Sequence, residues 1–336
     1  MKRTIQGALL ATVALTGGAM AATVNQGTGY ALSETGTSLF TYNDLANPVP
    51  PSEFRFVTDG GVLTAVDAIT YRPNTDEFYA YRDQGNLVYK VDLTAPLFAT
   101  LTQVEQGMDN VMTSVPTVGF DFNNALDAAR IVSTADENLV FFPQGSVNPA
   151  DGTTRDSSVI RATDLFYVPG DANAGANPSV FANAYTNAVA QMQVNAATQQ
   201  QYVLDSELDI LATLANNSGE LRTLGKLTVN GQALDFSNVG GFDILSPASG
   251  DNLGLALLNV FDDNGVEVSN LYSFALPTMA GDIEATFVST FGEGYKSFAV
   301  KFNGQPEVAP VPVPAAGLLL LGALAGLGAM RLRRRG

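Results

Sequence analysis

The 336-residue sequence contains no cysteine, no histidine and no tryptophan. Without cysteine there is no disulfide, no thiol nucleophile and no thiolate-bound metal. Without histidine there is no Ser-His-Asp triad, no imidazole-bound zinc and no imidazole general base. Basic residues are scarce as well: 17 Lys and Arg stand against 33 Asp and Glu, a formal net charge of −16. Six of those 17, Lys2, Arg3, Arg331, Arg333, Arg334 and Arg335, sit at the two ends. Without those six the chain holds 11 basic residues against 33 acids, a net charge of −22. A surface so acidic repels nucleic acid and anionic lipid, so no nucleic-acid partner is expected. No Gly-rich phosphate loop follows a strand and opens a helix. What remains is ample for a folded body: hydrophobic residues make up 46% of a chain long enough for one large or two ordinary domains.

The two ends read as addresses. Lys2 and Arg3 precede the short apolar run Ile5–Leu15, and Ala19 and Ala21 put small residues at the positions that signal peptidase reads. Residues 1–21 are therefore expected to be a secretory signal peptide, cleaved to leave a chain beginning near Ala22. At the other end, 305–314 is a Pro-rich spacer that fits neither helix nor central strand. Residues 315–330 are uncharged and apolar, a little short for a span of about 20 residues. The arginines that follow place the C-terminus in the cytoplasm and the body outside it. One short transmembrane helix is expected there, in the inner membrane.

Between the ends, 22–304 reads as short strands parted by polar turns. The clearest stretch is Val118–Gln144, strand, turn, strand, turn, strand. A weaker copy lies at Ile69–Asp92. Tyr71 matches Phe122, Asp76 matches Asp127, and Asn86-Leu87-Val88 matches Asn138-Leu139-Val140, an offset of 51 to 52 residues. Tyr30–Tyr42 resembles the second half of the unit, and Gly240-Gly241-Phe242-Asp243-Ile244 echoes Gly119-Phe120-Asp121-Phe122. A strand-built unit of about 50 residues is the period of a β-propeller blade. The expected fold is all-β and propeller-like, with five or six blades. Thr154–Pro178 reads as loop and Asn183–Val194 as a strand. Gln201–Leu214 reads as two strands around an Asp205-Ser206-Glu207 turn. Leu253–Phe261 and Val266–Leu276 read as a hairpin around 262–265, and Ile283–Phe291 with Tyr295–Phe302 as a final pair.

Candidate sites are few, and no cofactor is implied. Asp121, Asn123 and Asp127 offer hard oxygens to Ca²⁺. Turn and edge residues that bond their own backbone explain the same cluster, and the EF-hand spacing is not met. Asp262-Asp263-Asn264-Gly265 fits a hairpin turn without a metal. Glu207 with Asp209 is a carboxylate pair of the sort glycosidases use, but 33 acids make such pairs inevitable. Arg130, beside Ile131 and Val132, is placed to pair with Asp121 or Asp127, or to hold an anion in a propeller channel.

Two resemblances add to this reading. Val311-Pro312-Val313-Pro314-Ala315, the apolar run and the arginine cluster Arg331, Arg333, Arg334 and Arg335 together resemble the PEP-CTERM class of bacterial sorting signals, in its VPLPA-type variant. Val313 stands where that variant usually has Leu. The resemblance implies export from a Gram-negative cell through the secretion machinery and signal peptidase. It also implies recognition by an exosortase-type processing enzyme and delivery to the cell surface or extracellular matrix. The competing reading of the same tail is a permanent single-pass anchor.

The body is similar to a bacterial family known as domain of unknown function 4394. The residues that carry the likeness are Gly119-Phe120-Asp121-Phe122-Asn123, Asp127, Arg130-Ile131-Val132-Ser133 and Asn138-Leu139. Further on come Ala184-Tyr185-Thr186-Asn187, Tyr202-Val203-Leu204-Asp205 and Gly219-Glu220-Leu221 leading to Gly225. The chain departs from the family where Asn124 replaces a usual Pro and Ala128 a usual Arg. The resemblance implies a propeller-like fold and no established activity. The expected role is an exported, non-catalytic surface or matrix protein that binds polysaccharide or protein. The alternative is an extracytoplasmic hydrolase or lyase working through carboxylates.

Overall fold

The architecture follows from one local rule applied repeatedly. Short runs rich in Val, Ile, Tyr and Phe form strands, and Asp, Asn and Gly at left-handed positions turn them back. The computed structural model describes residues 22–49, 52–104, 117–148, 151–155, 157–192, 194–261, 265–292 and 294–304. The signal-peptide residues with Ala19 and Ala21, the spacer, the apolar run and the Arg tail lie outside the described residues, as do 262–264. Among the described residues no helix is long and apolar enough to cross a membrane, and the helical elements are three short 3₁₀ turns.

The strands run in chain order as follows. First come β1 (Gly27–Ser33), β2 (Ser38–Tyr42) and β3 (Ser52–Thr58). Next are β4 (Ala68–Arg72), β5 (Glu77–Arg82), β6 (Leu87–Asp92) and β7 (Phe98–Gln103). Then β8 (Val118–Asn123), β9 (Ala128–Ser133), β10 (Asn138–Phe142) and β11 (Ser158–Arg161). The fourth stretch holds β12 (Phe166–Tyr167), β13 (Val180–Tyr185), β14 (Gln201–Asp205), β15 (Ile210–Ala215), β16 (Glu220–Val229) and β17 (Gln232–Ala233). The last holds β18 (Gly240–Ala248), β19 (Asp251–Phe261), β20 (Glu267–Ala275), β21 (Ile283–Glu284), β22 (Thr286–Gly292) and β23 (Tyr295–Phe302).

Their pairing gives five four-stranded antiparallel units: β23-β1-β2-β3, β4-β5-β6-β7, β8-β9-β10-β11, β13-β14-β15-β16 and β18-β19-β20-β22. The all-β, propeller-like expectation holds. The N-terminal strands β1 and β2 are the second and third strands of their unit, which is why Tyr30–Tyr42 resembles only half of the repeat. The first strand of that unit is β23, from the far end of the described chain, in register from Gly27 opposite Phe302.

The core is divided in the same way. One apolar cluster fills each gap between consecutive units: Leu32, Phe56, Tyr71 and Phe78 between the first and second, Tyr79, Phe122, Ile131 and Phe141 between the second and third. Val132, Tyr167, Val203 and Leu221 lie between the third and fourth units, and Phe181, Leu204, Phe242 and Ile244 between the fourth and fifth. Ala31, Tyr42, Leu245, Leu255 and Phe298 lie between the fifth and the first. The five clusters close a ring. The innermost strands β23, β4, β8, β13 and β18 pack side by side around its axis.

Several expectations change. Ile283–Phe291 and Tyr295–Phe302 are not partners: β22 pairs with β20, while β23 crosses to β1. Pattern alone cannot see this, because neighbouring strands in the chain usually pair. The strand expected at Asn183–Val194 runs instead from Val180 to Tyr185, and Val189 packs as a buried loop residue. Thr154–Pro178, expected as loop, contains the edge strand β11 and the two-residue β12. The Gln201–Leu214 hairpin and the Leu253–Leu276 hairpin form as expected.

Candidate functional site

The axis of the ring is built by a three-residue pattern, Gly-Phe-Asp. Gly119 and Gly241 each stand two residues before an aspartate, and period-two alternation puts glycine and aspartate on one face of the strand. A Cβ on Gly119 would lie 2.7 Å from the Cα of Ala182; one on Gly241 would lie 2.2 Å from the Phe298 nitrogen. The bare backbone lets the next innermost strand come close. The aspartate then accepts an N–H from that strand: Tyr185 N–H donates to Asp121 at 2.8 Å, and Val300 N–H to Asp243 at 2.7 Å. The remaining oxygens accept from Thr70 Oγ1 on β4 at 3.1 Å and from Ile244 N–H at 2.7 Å. Ser297 Oγ accepts the Ile69 N–H at 3.1 Å, the same device between β23 and β4.

Both carboxyls are buried, and no Lys or Arg is ion-paired with either among the described residues. Burial pushes the Asp243 carboxyl up to about 7 against the pull of its two N–H donors. Burial also raises Asp121 well above the usual carboxylate range, helped by the charge of Asp243 and opposed by the hydrogen bonds it accepts. Beside them Asn183 is buried, with neither its amide oxygen nor its nitrogen bonded to protein. It lines a cavity of about 10 Å³ with Gly119, Gly241 and Ser297, room for about one water.

The turns that follow the innermost strands form a second cluster. Asn123 Oδ1 accepts the Leu126 N–H at 2.9 Å, closing the β8–β9 turn. Asp127 holds a left-handed φ of 49° and Asp76, its repeat partner, 57°; Asp tolerates that conformation better than most residues. The Asp127 carboxylate faces Arg72 bidentately, Oδ1 to Nε at 2.8 Å and Oδ2 to Nη2 at 2.5 Å, joining the second and third units. Asp121, Asn123 and Asp127 are thus each engaged separately, and no group of three or more acidic side chains able to hold a metal occurs among the described residues. Asn124 Nδ2 donates to the carbonyls of Asn187, Val189 and Met192, tying the third unit to the fourth.

Arg130 does not pair with Asp121 or Asp127. Its guanidinium donates to Asn138 Oδ1 at 2.9 Å and Asn217 Oδ1 at 2.7 Å, while Asp127 is taken by Arg72 and Asp121 by the Thr70 hydroxyl and the Tyr185 N–H. Asp209 sits at a left-handed turn position and accepts the Phe236 N–H, while Glu207 is exposed.

Sequence reasoning missed the open groove between the first and second units, about 730 Å³. Its floor is Tyr30 on β1 against Phe78 on β5, ring centroids 4.2 Å apart, with Val91 and Leu93 beside them. Its walls carry Asp76 with Lys301 and Glu77 with Lys90, two ion pairs, then Asp92, Thr94 and Thr102. The groove draws on strands from both ends of the chain, so no local pattern marks it.

Comparison with known proteins places the body. The family model described as domain of unknown function (DUF4394) matches residues 39–303. The chain belongs to this family. No curated protein matches it. Among solved structures, this DUF4394 chain is similar to a protein of unknown function from Bacteroides thetaiotaomicron. That pair shares 12% identity and a TM-score of 0.41, over 79% of this chain and 67% of that one. An auxiliary nutrient binding protein of the same organism shares 14% identity and a TM-score of 0.35, over 73% of this chain and 55% of that one. The β-propeller domain of Myceliophteria thermophila Cps50 (Swd1) shares 12% identity and a TM-score of 0.36, over 77% and 68%.

Proposed function

We propose that this protein is an exported, non-catalytic binding domain built as a five-bladed propeller and displayed at the cell surface or in the extracellular matrix. The observation that carries the non-catalytic reading is the use made of the axial acids. Asp121 and Asp243, the carboxyls at the ring axis, are each buried and hold backbone N–H groups of the ring. The alternative hydrolase or lyase needs a carboxyl with a free oxygen in hydrogen-bond reach of substrate. The small residues around the axial cavity, Gly119, Ala182, Gly240 and Gly241, leave space for about one water. That also favours a scaffold whose ligands sit outside the axis.

Export rests on the sequence of the ends: signal peptide 1–21, Pro-rich spacer 305–314, and the sorting segment 315–336 with its Arg cluster. The ligands proposed are extracellular polysaccharide or protein. The test is intact mass of the protein from culture medium and from membranes of the native host, joined to retention of the purified body on matrix polymer. Loss of the first 21 residues and of the tail, with retention on polymer, supports the reading. A membrane-only species that keeps 315–336, or a body that ignores matrix polymer and protein, removes it.

A further inference from the structure

The groove between the first and second units has the chemistry of a saccharide site, and we infer that it binds a neutral oligosaccharide stretch. This deepens the binding role proposed above and rests on it. Sugars present two kinds of surface at once, C–H faces that pack on aromatic rings and hydroxyls that need paired donors and acceptors. The groove offers both in the same place. Tyr30 is half-buried against Phe78, and its hydroxyl has no protein partner among the described residues. Burial and the nearby Asp76 charge push that hydroxyl up to about 12, so it stays protonated and able to donate.

Around this floor the ion pairs Lys301–Asp76 and Lys90–Glu77 hold their donors and acceptors in fixed positions. The Asp92 carboxylate is fixed by the Thr94 N–H at 2.8 Å. Such pre-ordered polar groups lose little entropy on binding, and the volume lies within the usual range for ligand clefts. Rigidity comes from both sides of the wedge. At its outer side β3 and β7 pair in parallel, Arg55 opposite Phe98 through Thr58 opposite Leu101; at its inner side β23 packs on β4.

Charge selects among sugars. The lining carries Asp76, Glu77 and Asp92 against Lys90 and Lys301, one net negative charge, on a strongly acidic body. Uronate-rich or sulfated chains are repelled there and neutral chains are not.

The test is calorimetric titration of the mature body with neutral oligosaccharides (gluco-, xylo- and manno-oligomers) and with oligouronates, for wild type, Tyr30→Phe and Thr94→Arg. Tyr30→Phe keeps the ring on Phe78 and removes only the hydroxyl. Thr94 is exposed, so Thr94→Arg fills the groove without touching the core. The expected result is binding of a neutral oligomer, weakened about 5- to 10-fold by Tyr30→Phe and lost in Thr94→Arg, with unchanged melting temperatures. Wild-type retention on matrix polymer that both variants keep in full would overturn this site and leave the binding role standing. Preference for oligouronates would overturn the neutral class. Failure to bind any matrix polymer or protein would remove the binding role, and this site with it.

Discussion

Asp121 and Asp243 occupy equivalent places in the ring, each two residues after a glycine and each holding the backbone N–H of the next innermost strand, at Tyr185 and at Val300. Two buried carboxyls whose protons are favoured by the folded state make stability depend on pH in a definite direction. Asp243 moves from an ordinary 3.8 to about 7 on folding. Between those values the native state binds more protons than the unfolded chain, so this contribution is full below pH 4 and is lost as pH rises through 7. Asp121 acts in the same direction.

The melting temperature of the mature body is therefore expected to fall between pH 5 and pH 8 at constant ionic strength. In Asp243→Asn that slope should flatten; each tenfold change in proton affinity on folding corresponds to about 1.4 kcal/mol. Below pH 4 the surface pairs reverse the trend. Asp76 and Glu77 are held below the usual carboxylate range, with burial opposing and the bonds from Lys301 and Lys90 winning. A wild-type stability that rises from pH 5 to pH 8 would contradict the assignment.

Gly241 tolerates no side chain. Its Cβ would meet the Phe298 backbone at 2.2 Å, and backbone at that place cannot step aside without parting β18 from β23. Gly241→Ala is expected to destabilise the body by roughly 3 kcal/mol or more, and Gly119→Ala similarly. Gly60→Ala, where the nearest atom would be 3.9 Å away, should be close to neutral, and denaturant titration of the three variants checks the contrast.

How much of the ring is legible in the sequence is clear from that same motif. The echo between Gly119-Phe120-Asp121 and Gly241-Phe242-Asp243 is visible in the sequence, and it marks innermost strands correctly. Its meaning is not visible, because the glycine's partner is Ala182 or Phe298, some 60 residues away. Asp121 therefore invites a metal reading although its bonds go to Thr70 and Tyr185. Asp127 offers the same hard-oxygen chemistry to a metal, while a left-handed φ shared with its repeat match Asp76 explains why an aspartate recurs there. Ser297 and Asn183 carry no repeat signature and could be found only from the ring geometry. The Asn124 departure from the family's usual Pro gains a reason as well: its side-chain amide reaches three carbonyls of the loop after β13.

Arg72 and Asp127 bridge two units through a nearly buried bidentate pair, with side-chain exposures of 8% and 15%. Asp127→Ala leaves the guanidinium short of its main partner and should cost on the order of 3 kcal/mol. Arg72→Met/Asp127→Ala should recover much of that loss, since an apolar side chain in this place packs on Tyr79 and Phe122, whose ring centroids lie about 6 Å from the guanidinium carbon. A double mutant as unstable as the sum of the singles would show that the two residues do not act together.

Closure of the ring by β23 supplies the last test. Tyr295–Phe302 pairs with β1 along its whole length, and Phe298 and Val300 pack into the cluster between the fifth and first units. Ser297 and the Val300 N–H provide two of the side-chain links around the axis. A body ending at Gly304 is expected to melt cooperatively. A body ending at Gly294 loses the first strand of one unit, uncovers the pairing edge of β1, and opens two of the five inter-unit cores. It should show no cooperative melting transition and should expose apolar surface to a hydrophobic dye. Cooperative melting of the Gly294 body would mean that the remaining units stand without closure, and that the ring is not what holds Asp243 in its buried place.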